Sequence, residues 1–249
     1  MHALLLVAVA VWCFLTALAG GLVGLVLGNI RLPVLVFVAT SPAAGSGANI
    51  GVSAVAAATA AVTHVRAGRV DWRLFAWMAP PSIVGAVAGS LVASALPGNA
   101  LLIVIGIALV GFGVDLLRRH RQRPATARGD EDVRAAVVSG AAIGFLGGVV
   151  GLILGSLRMP ALLRFVGAKP ARAVGTNLLV GVCVGVAGIA AHAPSGVDWP
   201  LFGLGAAGSI PGALLGARLT GRLDERQLLR AVGVVLVVAG IAALVQGAV

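Results

Sequence analysis

The chain has 249 residues, of which 59% are hydrophobic and 10% are charged, and its formal net charge is +10 at neutral pH. A soluble core of this length cannot bury so large an apolar surface, so the composition excludes a soluble globular protein and predicts an integral membrane protein. The excess arginines lie in short segments between apolar runs, where they indicate membrane topology rather than binding to nucleic acid.

The chain begins with the apolar segment MHALLLVAVAVWCFLTALAG, residues 1–20. This segment has no basic residues before its apolar run, as a secretory signal would, and it continues without interruption into the glycine-rich sequence that follows. We therefore predict that it is the first membrane segment and is not cleaved.

Each half of the chain contains four apolar stretches. They cover residues 3–41, 47–65, 74–96 and 100–117 in the first half, and residues 135–168, 173–193, 200–221 and 227–247 in the second. The first stretch of each half is longer than the roughly 20 residues that one crossing requires. We predict three units: a first membrane repeat (1–117), a basic cytoplasmic linker (118–134) and a second membrane repeat (135–249).

The two halves are related by an internal duplication. The sequence LGNIRLPVL (27–35) is followed 127 residues later by LGSLRMPAL (154–162). The matching positions include Gly24, Gly28, Arg31 and Pro33 with Gly151, Gly155, Arg158 and Pro160, and then Asn49 and Ser82 with Asn177 and Ser209. Because the match extends over more than about a hundred positions, we expect two repeats of one architecture.

The basic residues outside these motifs predict the topology. If every apolar stretch crossed once, nine would lie on one side of the membrane and seven on the other. If each long first stretch turns at its glycines and leaves on the side it entered, as a hairpin or as two tilted crossings, all sixteen share one side. Cytoplasmic loops are rich in Lys and Arg, so the second topology is favoured.

The predicted fold is therefore an all-α multi-pass membrane protein with two inverted repeats. Each repeat has a broken or re-entrant first helix followed by three transmembrane helices. The protein is expected in the plasma (inner) membrane of the cell, with the basic linker in the cytoplasm and both termini outside.

The duplicated motif predicts an anion site. Gly24, Pro33, Gly151 and Pro160 are expected to break the long first helices, and a short helix is expected to begin just after Gly28 and Gly155. Asn29 and Ser156 are residue types that cap helix N-termini, where free N–H groups favour an anion. Arg31 and Arg158 add a full charge to each of these places. The alternatives are an arginine that reaches the membrane interface or one that caps the carbonyls of a neighbouring helix.

Two further residue pairs are candidates for substrate binding. Asn49 and Asn177 are predicted near the start of the second helix of each half, as amide donors to an oxyanion or as helix caps and interhelical bonds. Ser82 and Ser209 lie inside apolar stretches, as donors lining a cavity or as partners of a carbonyl one turn back. No residue spacing indicates a metal site, and no cofactor is expected.

The chain resembles the TauE/SafE sulfite exporter family over nearly its whole length. The resemblance rests on the duplicated Gly and Pro segment, on Gly47-Ala48-Asn49 and AVGTN (173–177), and on GRVDWRLF and SGVDWPLF. Members of that family are bacterial multi-pass membrane transporters for sulfite, sulfonates, sulfoacetate and related anions. The resemblance thus implies export of a small sulfur-containing anion.

We therefore predict a transporter whose partners are a small anionic substrate and the lipid bilayer, with a homodimer left open. A negative cell interior drives an anion outward by about 2.3 kcal/mol per charge per 100 mV, so electrogenic efflux is the expected mechanism. The alternatives are a channel or a carrier for other small anions. A more remote one is an intramembrane enzyme, for which the apolar runs offer only isolated Cys and Ser, so we do not expect an enzyme.

Overall fold

A computed structural model of the chain describes residues 2–92, 98–119, 132–150, 152–192 and 196–248, and all regular structure in these ranges is helical. Most of the predicted linker, 118–134, lies outside them, as does Gly151. The helices are α1 (His2–Val23), α2 (Gly28–Val38), α3 (Pro42–Arg66), α4 (Trp72–Val92), α5 (Gly98–Arg119), α6 (Val133–Val150), α7 (Gly155–Ala161), α8 (Pro170–His192), α9 (Trp199–Thr220) and α10 (Glu225–Ala248).

Eight of these helices are long and apolar enough to cross a membrane, namely α1, α3 to α6 and α8 to α10. The other two, α2 and α7, are short and follow the chain breaks, and α7 continues into the π-helical turn Leu162–Val166. Each half thus has a first helix, a short helix after a break and three further long helices. The prediction of an all-α multi-pass membrane protein with broken first segments is confirmed.

Equivalent helices of the two halves pack against each other in antiparallel pairs. In the α3 and α8 pair, a Cβ added at Gly185 would lie 2.8 Å from Ala54 Cβ, and one added at Gly175 would lie 3.1 Å from His64 Cβ. Helices α5 and α10 pair in the same sense. An inverted repeat requires this antiparallel pairing, although the orientation of the halves across a membrane stays a prediction.

Helices α1 and α9, and likewise α4 and α6, form parallel pairs that depend on glycine. A Cβ added at Gly208 would lie 2.5 Å from the Ala10 carbonyl oxygen, and one added at Gly89 or Gly148 would overlap a backbone carbonyl of the partner helix. Small residues let membrane helices approach this closely. The glycine spacing in α4 and α9 therefore serves helix packing.

The first break returns the chain to the middle of the bundle. Helix α1 ends at Val23 beside the C-terminus of α9, where the Thr220 hydroxyl donates to the Leu22 carbonyl at 2.7 Å. Gly24 then adopts a left-handed conformation with φ of 72°, which glycine tolerates without steric cost. Helix α2 begins at Gly28, where an added Cβ would lie 2.9 Å from Ser53 Oγ, near the middle of α3.

Candidate functional site

Arg31 is buried near the middle of the bundle, with 2% of its surface exposed. Its Nε donates to Asn49 Oδ1 at 3.1 Å, and its Nη2 donates to Ser53 Oγ at 2.6 Å. Both partners lie on α3, one turn apart, so the two bonds fix the plane of the guanidinium. Both partners are also neutral, so neither cancels its charge.

Arg158 is equally buried, with 1% exposed, but it has fewer partners. Its Nη1 donates to Asn177 Oδ1 at 3.3 Å, and its Nε has no hydrogen-bond partner among the described residues. Two differences separate the halves: Asn177 accepts from Nη1 of Arg158, whereas Asn49 accepts from Nε of Arg31, and Gly181 of α8 occupies the position that the duplication matches to Ser53 on α3. The second guanidinium therefore keeps an unused donor.

The two asparagines connect the arginines to the chain breaks. Asn49 Nδ2 donates to the Gly28 carbonyl at 3.1 Å, and Asn177 Nδ2 donates to the Gly155 carbonyl at 2.8 Å. Asn177 also donates to the Gly24 carbonyl at 2.6 Å, so it binds both breaks at once. Among the roles predicted for Asn49 and Asn177, the structure shows the interhelical hydrogen bond.

Among the described residues, Arg31 and Arg158 form hydrogen bonds with neutral side chains and no ion pairs with carboxylates. The ion pairs found within the described ranges lie elsewhere, between Arg164 and Asp115 and between Arg172 and Asp71. A charge buried in a membrane protein is costly and usually pairs with an opposite charge or serves a function. Arg31 and Arg158 therefore place two positive charges with neutral partners inside the bundle.

The two breaks approach each other beside these two arginines. A Cβ added at Gly155 would lie 3.2 Å from the Val26 backbone nitrogen. A cavity of about 10 Å³ next to Arg31 is lined by Thr16, Ser53 and Leu178 among others. This volume holds about one water molecule. An oxyanion of four or more heavy atoms would need more space than this.

The predicted capping by Asn29 and Ser156 is wrong. The residues that precede α2 and α7 are Leu27 and Leu154, and neither helix has a side-chain cap. Asn29 is the second residue of its helix, and its side chain turns to α10, where Nδ2 donates to the Ala239 carbonyl at 3.0 Å. Ser156 is buried inside α7.

The remaining predicted residues occupy helix interiors and packing contacts. The prediction that Pro33 and Pro160 break the long first helices is wrong, because each is the sixth residue of its short helix and the breaks lie before it, at Gly24 to Leu27 and before Gly155. Ser82 is buried where α4 meets α6, and Ser209 Oγ donates to the Cys13 carbonyl of α1 at 3.3 Å. The structure thus places both serines in helix–helix contacts, with neither bonded to an arginine.

Ser53 is the site residue that the sequence did not indicate. Its hydroxyl forms the shorter of the two bonds to Arg31. The duplication could not point to it, since the equivalent residue in the second half is Gly181. Its spacing from Asn49, four residues along one helix, is the signal that places both on one face.

Comparison with known proteins agrees with this architecture. The family described as sulfite exporter TauE/SafE matches residues 9–243. A "Probable membrane transporter protein" of Xylella fastidiosa (strain Temecula1) is 28% identical over 239 residues, covering 89% of this chain and 90% of that protein. In Bacillus subtilis (strain 168), "Probable membrane transporter protein YunE" is 23% identical, with 92% and 93% covered. "Probable membrane transporter protein YjnA" of the same strain is 26% identical, with 89% and 94% covered. The chain is thus a membrane transporter, and it belongs to the sulfite exporter TauE/SafE family.

Proposed function

We propose that the chain exports a small sulfur-containing anion, of the sulfite, sulfonate or sulfoacetate class, through a site at its two chain breaks. The observation that carries this proposal is the pair of buried arginines, Arg31 and Arg158, whose hydrogen-bond partners are neutral oxygens. The family supports the substrate class, and the names of the relatives support transport across a membrane.

The chemistry of the arginines suits an oxyanion. A guanidinium presents a planar fork of N–H donors that matches two oxygens of a carboxylate, phosphate or similar group. The Nε of Arg158 is buried and has no hydrogen-bond partner among the described residues, so an anion bonded there would satisfy a donor that the protein leaves unpaired. We therefore assign the first contact with substrate to Arg158, with Arg31 held by its two α3 partners as the second charge.

The small size of the cavity beside Arg31 favours a carrier over an open channel. The described structure leaves space for about one water molecule beside Arg31, and Asn177 ties the two breaks together. An alternating mechanism would break and remake these bonds as each half opens. A channel predicts no acceleration of labelled sulfite uptake by unlabelled sulfite on the far side, whereas a carrier predicts this counterflow.

The experiment is sulfite efflux from proteoliposomes containing the purified protein. Arg31→Gln and Arg158→Gln are compared with Arg66→Gln, which changes an exposed arginine at the end of α3. A lost charge-assisted hydrogen bond is worth about 1.5–3 kcal/mol, so we expect each buried variant to slow flux by about 10-fold to 150-fold. The control should retain wild-type flux.

Competition defines the substrate class in the same assay. Sulfite, sulfoacetate and a simple sulfonate should inhibit labelled sulfite efflux, and acetate should inhibit less. Helicity and elution volume of each variant show whether it is folded. Folded Arg31→Gln and Arg158→Gln proteins with unchanged flux would contradict the proposal.

A further inference from the structure

A groove on the outside of the bundle runs between α4 and α6. Its volume is about 580 Å³. The residues that define it are Val84, Gly85, Ala88, Ala141, Ala142 and Phe145. Val84 is 68% exposed, so the groove opens on the outer surface of the bundle rather than towards the arginine pair. Its size is in the range of about 300–1,000 Å³ typical of sites for small molecules.

Small side chains create the groove, and the other half of the chain lacks them. The equivalent contact in the duplication is between α9 and α1. There Leu215 stands in the place of Ala88, Phe14 in the place of Ala141, and Leu15 in the place of Ala142. The groove is therefore a feature of the α4 and α6 pair, not a consequence of the shared architecture.

Two arginines lie in line with the groove at one end. A Cβ added at Gly140 would lie 3.0 Å from the Met78 carbonyl oxygen, and a Cβ added at Gly148 would overlap the Ala86 carbonyl oxygen. Because both contacts advance in the same direction along the two helices, α4 and α6 are parallel. Arg73 precedes Val84 by eleven residues, and Arg134 precedes Ala141 by seven, and both arginines are exposed. Eleven and seven residues are close to whole numbers of helical turns, so each arginine lies on the groove face of its helix.

The distance from Arg73 to the groove matches one leaflet of a bilayer. Val84 follows Arg73 by eleven residues of α-helix, a rise of about 16 Å, which is close to half of the hydrocarbon thickness of about 30 Å. Trp77, one turn beyond Arg73 on the same face, is 50% exposed and suits the interface. In the duplication, Arg73 corresponds to Pro200 and Arg134 corresponds to Val7. The α4 and α6 pair therefore has both the small side chains that form the groove and the two arginines, and the α9 and α1 pair has neither.

We propose that this surface binds an anionic phospholipid, with an acyl chain in the groove and the phosphate at Arg73 and Arg134. Basic side chains near the end of a membrane helix attract anionic headgroups. Burial of the apolar surface of the groove under an acyl chain is also favourable. The charges also disfavour a second copy of the protein. A twofold dimer through this face would bring the same two arginines of each copy towards each other.

The test is lipid binding measured by native mass spectrometry on the purified protein with added phosphatidylglycerol or phosphatidylcholine. The double variant A88L/A142L fills the groove with the side chain found in the other half, and A76L adds the same bulk on an exposed position of α4 off this face. R73Q/R134Q removes the charges, and R222Q/R226Q removes two exposed arginines beside α9 and α10.

We expect A88L/A142L to lower the affinity for phosphatidylglycerol at least tenfold, and A76L to leave it unchanged. R73Q/R134Q should reduce the preference for phosphatidylglycerol over phosphatidylcholine by about fivefold per arginine, while R222Q/R226Q keeps it. Since exposed arginines contribute little to folding, the charge variant tests the proposal even if the groove variant fails to fold. Equal lipid binding by R73Q/R134Q and wild type would overturn it. A dimer that A88L/A142L converts to a monomer would also overturn it, in favour of a second copy.

Discussion

The two asparagines should differ in their contribution to stability, although they occupy equivalent positions of the duplication. Asn177 binds Arg158 and the carbonyls of Gly24 and Gly155, whereas Asn49 binds Arg31 and the carbonyl of Gly28. Both side chains are buried to the same degree, and replacement by Ala leaves the same volume behind. The comparison therefore isolates the hydrogen bonds.

The magnitude follows from the number of bonds. Interhelical hydrogen bonds in membrane proteins contribute about 0.6 kcal/mol on average and up to about 1.7 kcal/mol each. Asn177→Ala should lower the free energy of unfolding by about 2–5 kcal/mol, because three bonds are lost and both breaks are released. Asn49→Ala should lower it by about 1–3 kcal/mol, because two bonds are lost and Ser53 still binds Arg31.

The assay is equilibrium unfolding in mixed micelles, with increasing SDS, followed by circular dichroism. A stability loss in Asn49→Ala equal to or greater than that in Asn177→Ala would refute the reasoning. That result would mean that the bond between Asn177 and the first break contributes nothing.

Two further predictions come from contacts in the structure and two from the sequence. Gly24→Ala should be far more destabilising in the same assay than Gly68→Ala. Both glycines have positive φ, but an added Cβ at Gly24 would lie 2.5 Å from a backbone atom of α8, while at Gly68 it meets nothing within 4 Å. Ser53→Ala should slow sulfite flux by roughly 10-fold, since it removes one of the two bonds that fix the plane of the Arg31 guanidinium. Wild-type flux in that folded variant would contradict this positioning role. An inside-negative potential of 100 mV should accelerate sulfite efflux, since it adds about 2.3 kcal/mol per charge; a flux indifferent to the potential contradicts electrogenic export. Single cysteines at Ser46 and Ala125 should label from opposite sides of the membrane, and labelling from one side refutes the predicted topology.

Most of the architecture could be predicted because it depends on composition and on the duplication. Eight long apolar helices and two breaks after glycine follow from the length of the apolar stretches and from the repeated motif. The course of the first segment could not be predicted. Its length allowed a hairpin or two crossings, and the contacts from Gly208 with Ala10 to Thr220 with Leu22 show that α1 runs the length of α9 before the chain turns back.

The surroundings of the two buried guanidinium groups could be predicted only in part. Arg31 and Arg158, with their asparagines, were found through the repeat. Ser53 was missed because its counterpart is Gly181. The capping role of Asn29 was wrong because α2 begins one residue before it, at Gly28, and its amide donates instead to a carbonyl of α10, a long-range contact that leaves no local signal in the sequence.

The central claim is that the buried arginine pair holds the transported anion. Calorimetric titration of sulfite into the purified protein tests it most directly, with Arg31→Gln, Arg158→Gln and the Arg66→Gln control, each verified as folded. We predict saturable binding of sulfite to the wild type and the control, with affinity reduced at least about 10-fold in both buried variants. Unchanged sulfite affinity in the folded Arg31→Gln and Arg158→Gln proteins would contradict the account.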